Sequence, residues 1–207
     1  MVNLLIASEN PHKQQKIQDM FSIYEPDIKI NKLGNYPLKK IDENKDSFEK
    51  NAILKACEYS SEFDGYVVAT DGGVVIPALK GWNPLYTKRF CGENTSDVVR
   101  LRKMLELMSN KKGAERTMFW QEAIAICKNG KRIFSVSVRG IEGIMAESDD
   151  SLKYRKGIWL CSIWNFPQYK NKNFFDLDPK EMAQAEISWQ RLGTAISDFM
   201  TRHDYIQ

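Results

Sequence analysis

The first apolar run, residues 2–7 (VNLLIA), is broken only by Asn3 and stops at a polar cluster containing a proline, SENPHK, at 8–13. Such a run reads as a buried strand, and the cluster as the turn after it. Asn10 can cap a helix that has Pro11 in its first position, where the missing N–H costs nothing. Lys16, Ile17, Met20 and Phe21 then recur at three- and four-residue spacing and give that helix one apolar face. The chain therefore opens with a strand, a turn and a helix.

Residues 28–33 predict a short strand and 34–37 a loop. A second helix is predicted from Asp46 to about Phe63, capped by Asp46 or Ser47, because Phe48, Ala52, Leu54 or Lys55, and Tyr59 follow helical spacing. Then come a strand at 66–69, a turn at 70–73 and a strand at 74–79, followed by an ordered loop rich in breakers and aromatics at 80–92. The segment Thr95, Ser96, Asp97 opens an amphipathic helix through Val98, Leu101, Met104, Leu105 and Met108. Strands at 117–126 and 131–140 flank Lys128, Asn129 and Gly130, a hairpin signal. Residues 141–180 mix Trp159, Trp164, Phe166, Tyr169, Phe174 and Phe175 with lysines and asparagines, which reads as a partly buried aromatic loop. A last helix is predicted from Pro179 to Met200. Strands and helices interleave, so the class is α/β with a mixed sheet.

The 207 residues give room for one sizeable core, or two lobes around a cleft. Lys and Arg total 30 against 27 Asp and Glu, so the chain is only mildly basic. That balance suits a small anion as well as nucleic acid and decides neither. No apolar run approaches a membrane span and the start lacks the form of an export signal, so the expected compartment is the cytoplasm. The cysteines, 57, 91, 127 and 161, form no CxxC pair, and His12 and His203 are the only imidazoles. Neither a zinc site nor a disulfide framework is expected, and the thiols are expected to be reduced and packed as small hydrophobes.

The stretch VVATDGGVVIPAL at 67–79 sets Asp71 and two glycines between apolar residues. On pattern alone this is a hairpin turn, since Asp-Gly supplies positive φ angles. The other reading is that backbone approaches a ligand there, while Asp71 at a strand end offers oxygens to a metal or a water.

Four segments are similar, in order, to the signatures of the inosine/xanthosine triphosphate pyrophosphatases: IASENPHK at 6–13, SFEKNAILKA at 47–56, ATDGGV at 69–74, and ALKG at 78–81 with YTKRFCG at 86–92. The resemblance covers roughly residues 1–140. It implies hydrolysis of non-standard purine nucleoside triphosphates to monophosphate and pyrophosphate, with Mg²⁺ as cofactor. It implies an elongated mixed sheet flanked by helices, with two lobes and a central cleft, as a single α/β domain over residues 1–207. It also implies a homodimer, with no nucleic-acid or membrane partner. Ser8, Asn10 and Lys13 match the family's Thr/Ser-x-Asn-x-x-Lys, at a helix start suited to phosphate oxygens. Glu43 falls on the metal-binding glutamate, with Asn51 and Lys55 downstream, and Lys55 would meet phosphate as a point charge. Asp71 takes the position of the carboxylate that holds Mg²⁺ and activates water, so Lys55 and Asp71 are the expected catalytic pair and Glu43 and Asp71 the metal ligands. Thr70 and Gly72 depart from that segment's Asp and Ser. Gly72, Gly73 and Arg89 join the expected substrate contacts.

The later family motifs, Gly-Phe-Gly-Tyr/Trp-Asp-Pro-x-Phe and a Lys with Ser-His-Arg, are altered. Lys156-Gly-Ile-Trp-Leu-Cys-Ser-Ile-Trp164 stands in place of the first, where Gly157 and Ile163-Trp164 fit but Asp-Pro is absent. Before the last helix Glu181-Met182 fits, while Glu186 and Gln190-Arg-Leu192 stand in place of the Lys and Ser-His-Arg. A base pocket needs an aromatic face and fixed polar partners. Trp159 or Trp164 could stack a base or pack beneath the loop, and Arg191 could replace a lost contact or lie on the surface. Two functions stay open: a Mg²⁺-dependent pyrophosphatase with altered base recognition, and a non-catalytic relative that binds a nucleotide or a protein partner.

Overall fold

A computed structural model of the chain describes residues 1–23, 27–92, 94–149 and 157–202, apart from the side chains at 35, 86, 88 and 89. Among these residues the strands are β1 (Val2–Ile6), β2 (Ile28–Lys32), β3 (Tyr66–Val75), β4 (Thr117–Lys128), β5 (Lys131–Met145), β6 (Trp164–Phe166) and β7 (Lys172–Asn173). They form one sheet in the order β2-β1-β3-β4-β5-β6-β7. β1 runs parallel to β2 and to β3, whereas β5, β6 and β7 pair antiparallel, so the sheet is mixed. The helices are α1 (Pro11–Ser22), α2 (Phe48–Ser60), α3 (Asp97–Leu107), α4 (Pro179–Ala185) and α5 (Ile187–Arg202). None of the described helices is long and apolar enough to cross a membrane.

The chain divides into two compact units, one of 1–72, 122–138 and 188–207, the other of 73–121 and 139–187. In the first, Leu4, Ile6, Val68, Ile124 and Ile126 from β1, β3 and β4 share an apolar cluster with Ile17 and Phe21 of α1 and Trp189, Leu192 and Ile196 of α5. The helical spacing of Ile17 and Phe21 is what turns both toward that cluster. In the second, Leu101, Met104 and Met108 of α3 pack with Met118, Met145, Trp159, Ile163, Trp164 and Phe166.

The structure corrects several expected boundaries. Residues 70–73 make no turn: β3 continues through Tyr66–Val75, and neither Gly72 nor Gly73 takes a positive φ. β3 lies between β1 and β4 in the sheet. β1 pairs with its first half, at 66–68, and the strand runs on past that pairing, so tertiary context overrides the turn preference of Asp-Gly. The hairpin at Asn129 and Gly130 does form, both at positive φ, between strands longer than expected. The last helix is broken at Glu186. The aromatic segment contains β6, β7 and short 3₁₀ turns. Cys57 and Cys127 are paired in a disulfide where reduced thiols were expected, because α2 brings its Cα to 5.1 Å from that of β4. Cys91 and Cys161 are free, and burial pushes the Cys161 thiol up to about 12.

Arg116 is 2% exposed, and its guanidinium donates to the carbonyls of Met145 at 2.8 Å, Met108 at 2.5 Å, Lys111 at 3.2 Å, and Ala146. It ties the end of β5 to the segment after α3. Arg116→Ala strands these carbonyls and is expected to cost on the order of 3 kcal/mol. Arg116→Lys, with a single ammonium in place of the fork, should recover only part. Urea unfolding of the three proteins checks this, and equal midpoints would refute it.

Candidate active site

β1 and β3 lie in parallel register, Leu4 beside Tyr66 and Ile6 beside Val68, and the Ala7 amide donates to Val68 O at 2.8 Å. The polar segment after β1 and the middle of β3 therefore meet at the carboxyl end of β1, the end at which open α/β sheets bind ligands. Asn10 caps α1: its Oδ1 accepts from the amides of His12 at 2.9 Å and Lys13 at 3.4 Å. Ser8 Oγ accepts from the Asn10 amide at 3.3 Å, and Ser8 O accepts from Gln14 Nε2 at 2.6 Å. The segment is thus fixed from both sides, with Lys13 half-buried in the first turn of the helix.

α2 supplies the second part. Ser47 caps it by accepting from the Lys50 amide at 3.2 Å. Asn51, 1% exposed, donates from Nδ2 to Asp71 Oδ2 at 3.1 Å and accepts at Oδ1 from the Lys45 amide at 3.0 Å. The other carboxylate oxygen of Asp71 accepts from the Gly72 amide at 3.0 Å. One helical turn after Asn51, Lys55 Nζ lies 3.2 Å from Glu43 Oε2 and 3.8 Å from Asp71 Oδ1. Asp71 and Lys55 are mostly buried, and Glu43 is more open, at 40% side-chain exposure. The sequence-predicted Glu43, Asn51, Lys55 and Asp71 are therefore in one contact network.

Glu122, on β4, escaped the sequence reading. It is 7% exposed, and its Oε2 has no hydrogen-bond partner. Burial raises its carboxyl pKa from the ordinary 4.5 to about 7; Lys13 and Lys55 draw it down, and Asp71 pushes it up. The signal for it was present: a lone carboxylate at the head of the apolar run AIAIC at 123–127. Beside Asp71, the Thr70 hydroxyl is also buried without a partner.

The other expected contacts fare differently. Gly72 and Gly73 offer no turn amides, because both lie in a strand and the Gly72 amide is engaged by Asp71. The Arg89 side chain and Lys156 lie outside the described residues. Trp159 is 3% exposed and stacks on Phe90 with centroids 5.8 Å apart, which is the packing alternative. Arg191 is exposed on α5.

Oxygen donors converge here in a way that suits a hard divalent cation. Lys55 Nζ already bridges the Glu43 and Asp71 carboxylates, so the gap between them admits a cation. Among the described residues no three His, Cys, Asp or Glu side chains are grouped to hold a metal.

The model of the Ham1 family matches residues 4–184, and the chain belongs to that family. A dITP/XTP pyrophosphatase from Thermoanaerobacter sp. strain X514 is 30% identical over 131 residues, 63% of this chain and 65% of the relative. The chain thus aligns with just under two thirds of that relative's length. One from Oceanobacillus iheyensis is 32% identical over 133 residues, 63% of this chain and 66% of the relative. Among solved structures, a HAM1 protein from Coxiella burnetii superposes with a TM-score of 0.77 at 23% identity, covering 96% of this chain and all of that one. The Staphylococcus aureus Ham1 protein gives 0.77 at 24% identity, covering 95% and 98%. At these identities the two structures establish the fold, an α/β protein on an open mixed sheet.

The buried carboxyl of Glu122 gives a pH prediction. Its folded pKa, about 7, lies above the ordinary 4.5. Between these values the folded state holds a proton that the unfolded state has released, so stability falls as pH rises from 4.5 through 7. The full loss is on the order of 3 kcal/mol. With a chelator present, Glu122→Gln should therefore gain stability over the parent at pH 8 and little at pH 5. Denaturant unfolding at the two pH values measures the difference, and the same gain at both would refute the assignment.

Proposed function

We propose that this chain hydrolyses a nucleoside triphosphate at the α–β phosphoanhydride, releasing a nucleoside monophosphate and pyrophosphate. The substrate class is a non-standard nucleotide such as ITP, dITP or XTP, or another modified base. The observation that carries the reading is the network of Asp71, Asn51, Lys55 and Glu43 beside the capped start of α1. Family membership supports the reading, and so do relatives named dITP/XTP pyrophosphatases.

Each residue has a distinct task in this reading. Glu43 and Asp71 would hold Mg²⁺, which, when bound, neutralises the triphosphate and polarises its oxygens. Lys13 and Lys55 meet phosphate oxygens as point charges, and the start of α1 adds its amides and dipole. Asn51 fixes one oxygen of Asp71 and the Gly72 amide the other, so the carboxylate is oriented before substrate arrives. Asp71 directs the attacking water in line with the leaving pyrophosphate and takes up its proton. No His or Cys nucleophile is required.

Base recognition is where the chain departs from the family pattern. The family's Asp-Pro is absent from residues 156–164, and Trp159 is packed against Phe90. This favours a base preference unlike that of the relatives, and it is also the one observation that favours a nucleotide-binding relative without turnover.

Pyrophosphate release from a panel of standard, deaminated and base-modified triphosphates separates the two. Turnover that needs Mg²⁺ and falls at least about a hundredfold in Asp71→Asn is the expected result. A folded protein with no turnover on any member, yet binding triphosphate, would replace the hydrolase by the binding relative.

A further inference from the structure

We infer that Glu122 is a third carboxylate of the divalent-cation site, acting on the ion through a water of its hydration shell. The inference rests on the reading of Glu43 and Asp71 as the metal ligands.

Four observations converge on it. Glu122 is more than nine-tenths buried, and its Oε2 meets no donor of the protein. A buried carboxylate oxygen without a partner is rare and calls for a ligand, an ion or a water. Three charges act on it, and all belong to the candidate site: Lys13 on α1, Lys55 on α2 and Asp71 on β3. β4 is the direct neighbour of β3, so the strand carrying Glu122 lies beside the strand carrying Asp71. Its main chain is held independently, the carbonyl accepting from Ser137 Oγ at 3.4 Å, so the carboxyl has no share in holding the strand.

The absence of a close three-acid group among the described residues sets the mode of action. Glu122 is not arranged to ligate an ion jointly with Glu43 and Asp71. Mg²⁺ gives up its waters reluctantly, and a carboxylate one water removed still orients that water and adds to the binding energy. Charge balance points the same way. Lys13 and Lys55 offset Glu43 and Asp71, so a divalent cation held by these two ligands ahead of the nucleotide would bring two positive charges that these four residues leave uncompensated. A third carboxylate offsets one of them.

Binding of Mn²⁺ to the full chain without nucleotide tests this, with free Mn²⁺ read from its electron paramagnetic resonance signal. Glu122→Gln keeps shape and volume and should weaken Mn²⁺ binding about tenfold, the loss expected for an outer-shell carboxylate. Glu122→Asp, which keeps the charge, should recover part of it. Asp71→Asn should lose binding altogether. Circular dichroism confirms that each variant is folded. If Glu122→Gln binds Mn²⁺ like the parent while Asp71→Asn does not, Glu122 is merely a buried acid and the inference falls alone. If the parent does not bind, or Asp71→Asn binds like the parent, the cation site itself falls and takes the inference with it.

Discussion

Asn51 sits in the first turn of α2 with both ends of its amide engaged, one by the Lys45 amide and the other by the Asp71 carboxylate. This one side chain, on the helix carrying Lys55, holds both the loop just before that helix, which carries Glu43, and the strand carrying Asp71, 20 residues on. At 1% exposure it has no water to fall back on, so losing either partner leaves a buried polar group unpaired. The lengths of the two bonds fix where Asp71 points. Lys55, one turn further along the same face of α2, is thereby delivered between Asp71 and Glu43.

The arrangement is electrostatically tight. Lys55 and Asp71 are each about 15% exposed at the side chain, so their charges interact with less screening than a surface pair would have. The ammonium of Lys55 lies between the Glu43 and Asp71 carboxylates and balances part of their charge. The helix that carries Lys55 also carries Asn51, so one element positions both the ammonium and the partner of Asp71.

Much of this was legible in the sequence, for a local reason. β1, α1, α2 and α3 are long enough to show their period, and the caps Asn10, Ser47 and Ser96 are written beside them. Asp71, Lys55, Glu43 and Asn51 were legible through the resemblance, since spacing alone does not separate them from a solvated helix face. What was misread depends on contacts distant in sequence. The expected turn at 70–73 gave way to β3, a strand that β1 pairs only at 66–68 and that continues to Val75 between its sheet neighbours. The disulfide joins cysteines 70 residues apart and needs α2 laid against β4. In the aromatic segment, β6 has three residues and β7 two, too few to display alternation. Its order comes from Trp164 against Trp120 and Phe166, and from Asn173 Nδ2 donating to the carbonyls of Cys161, Ser162 and Trp164.

Burial disfavours the charged form of the Glu122 carboxyl, a cost that a neutral glutamine of the same shape would not carry. The strand that bears this cost is also the one that the disulfide fastens. Cys127 lies further along β4 and Cys57 just beyond Lys55 on α2, so the bridge joins the two elements that bring Glu122 and Lys55 to the site. Closing a loop of 70 residues restricts the unfolded chain by about 4 kcal/mol in the chain-entropy picture, comparable to the penalty of the buried acid. The same bridge ties the strand that carries Glu122 to the helix that carries Lys55.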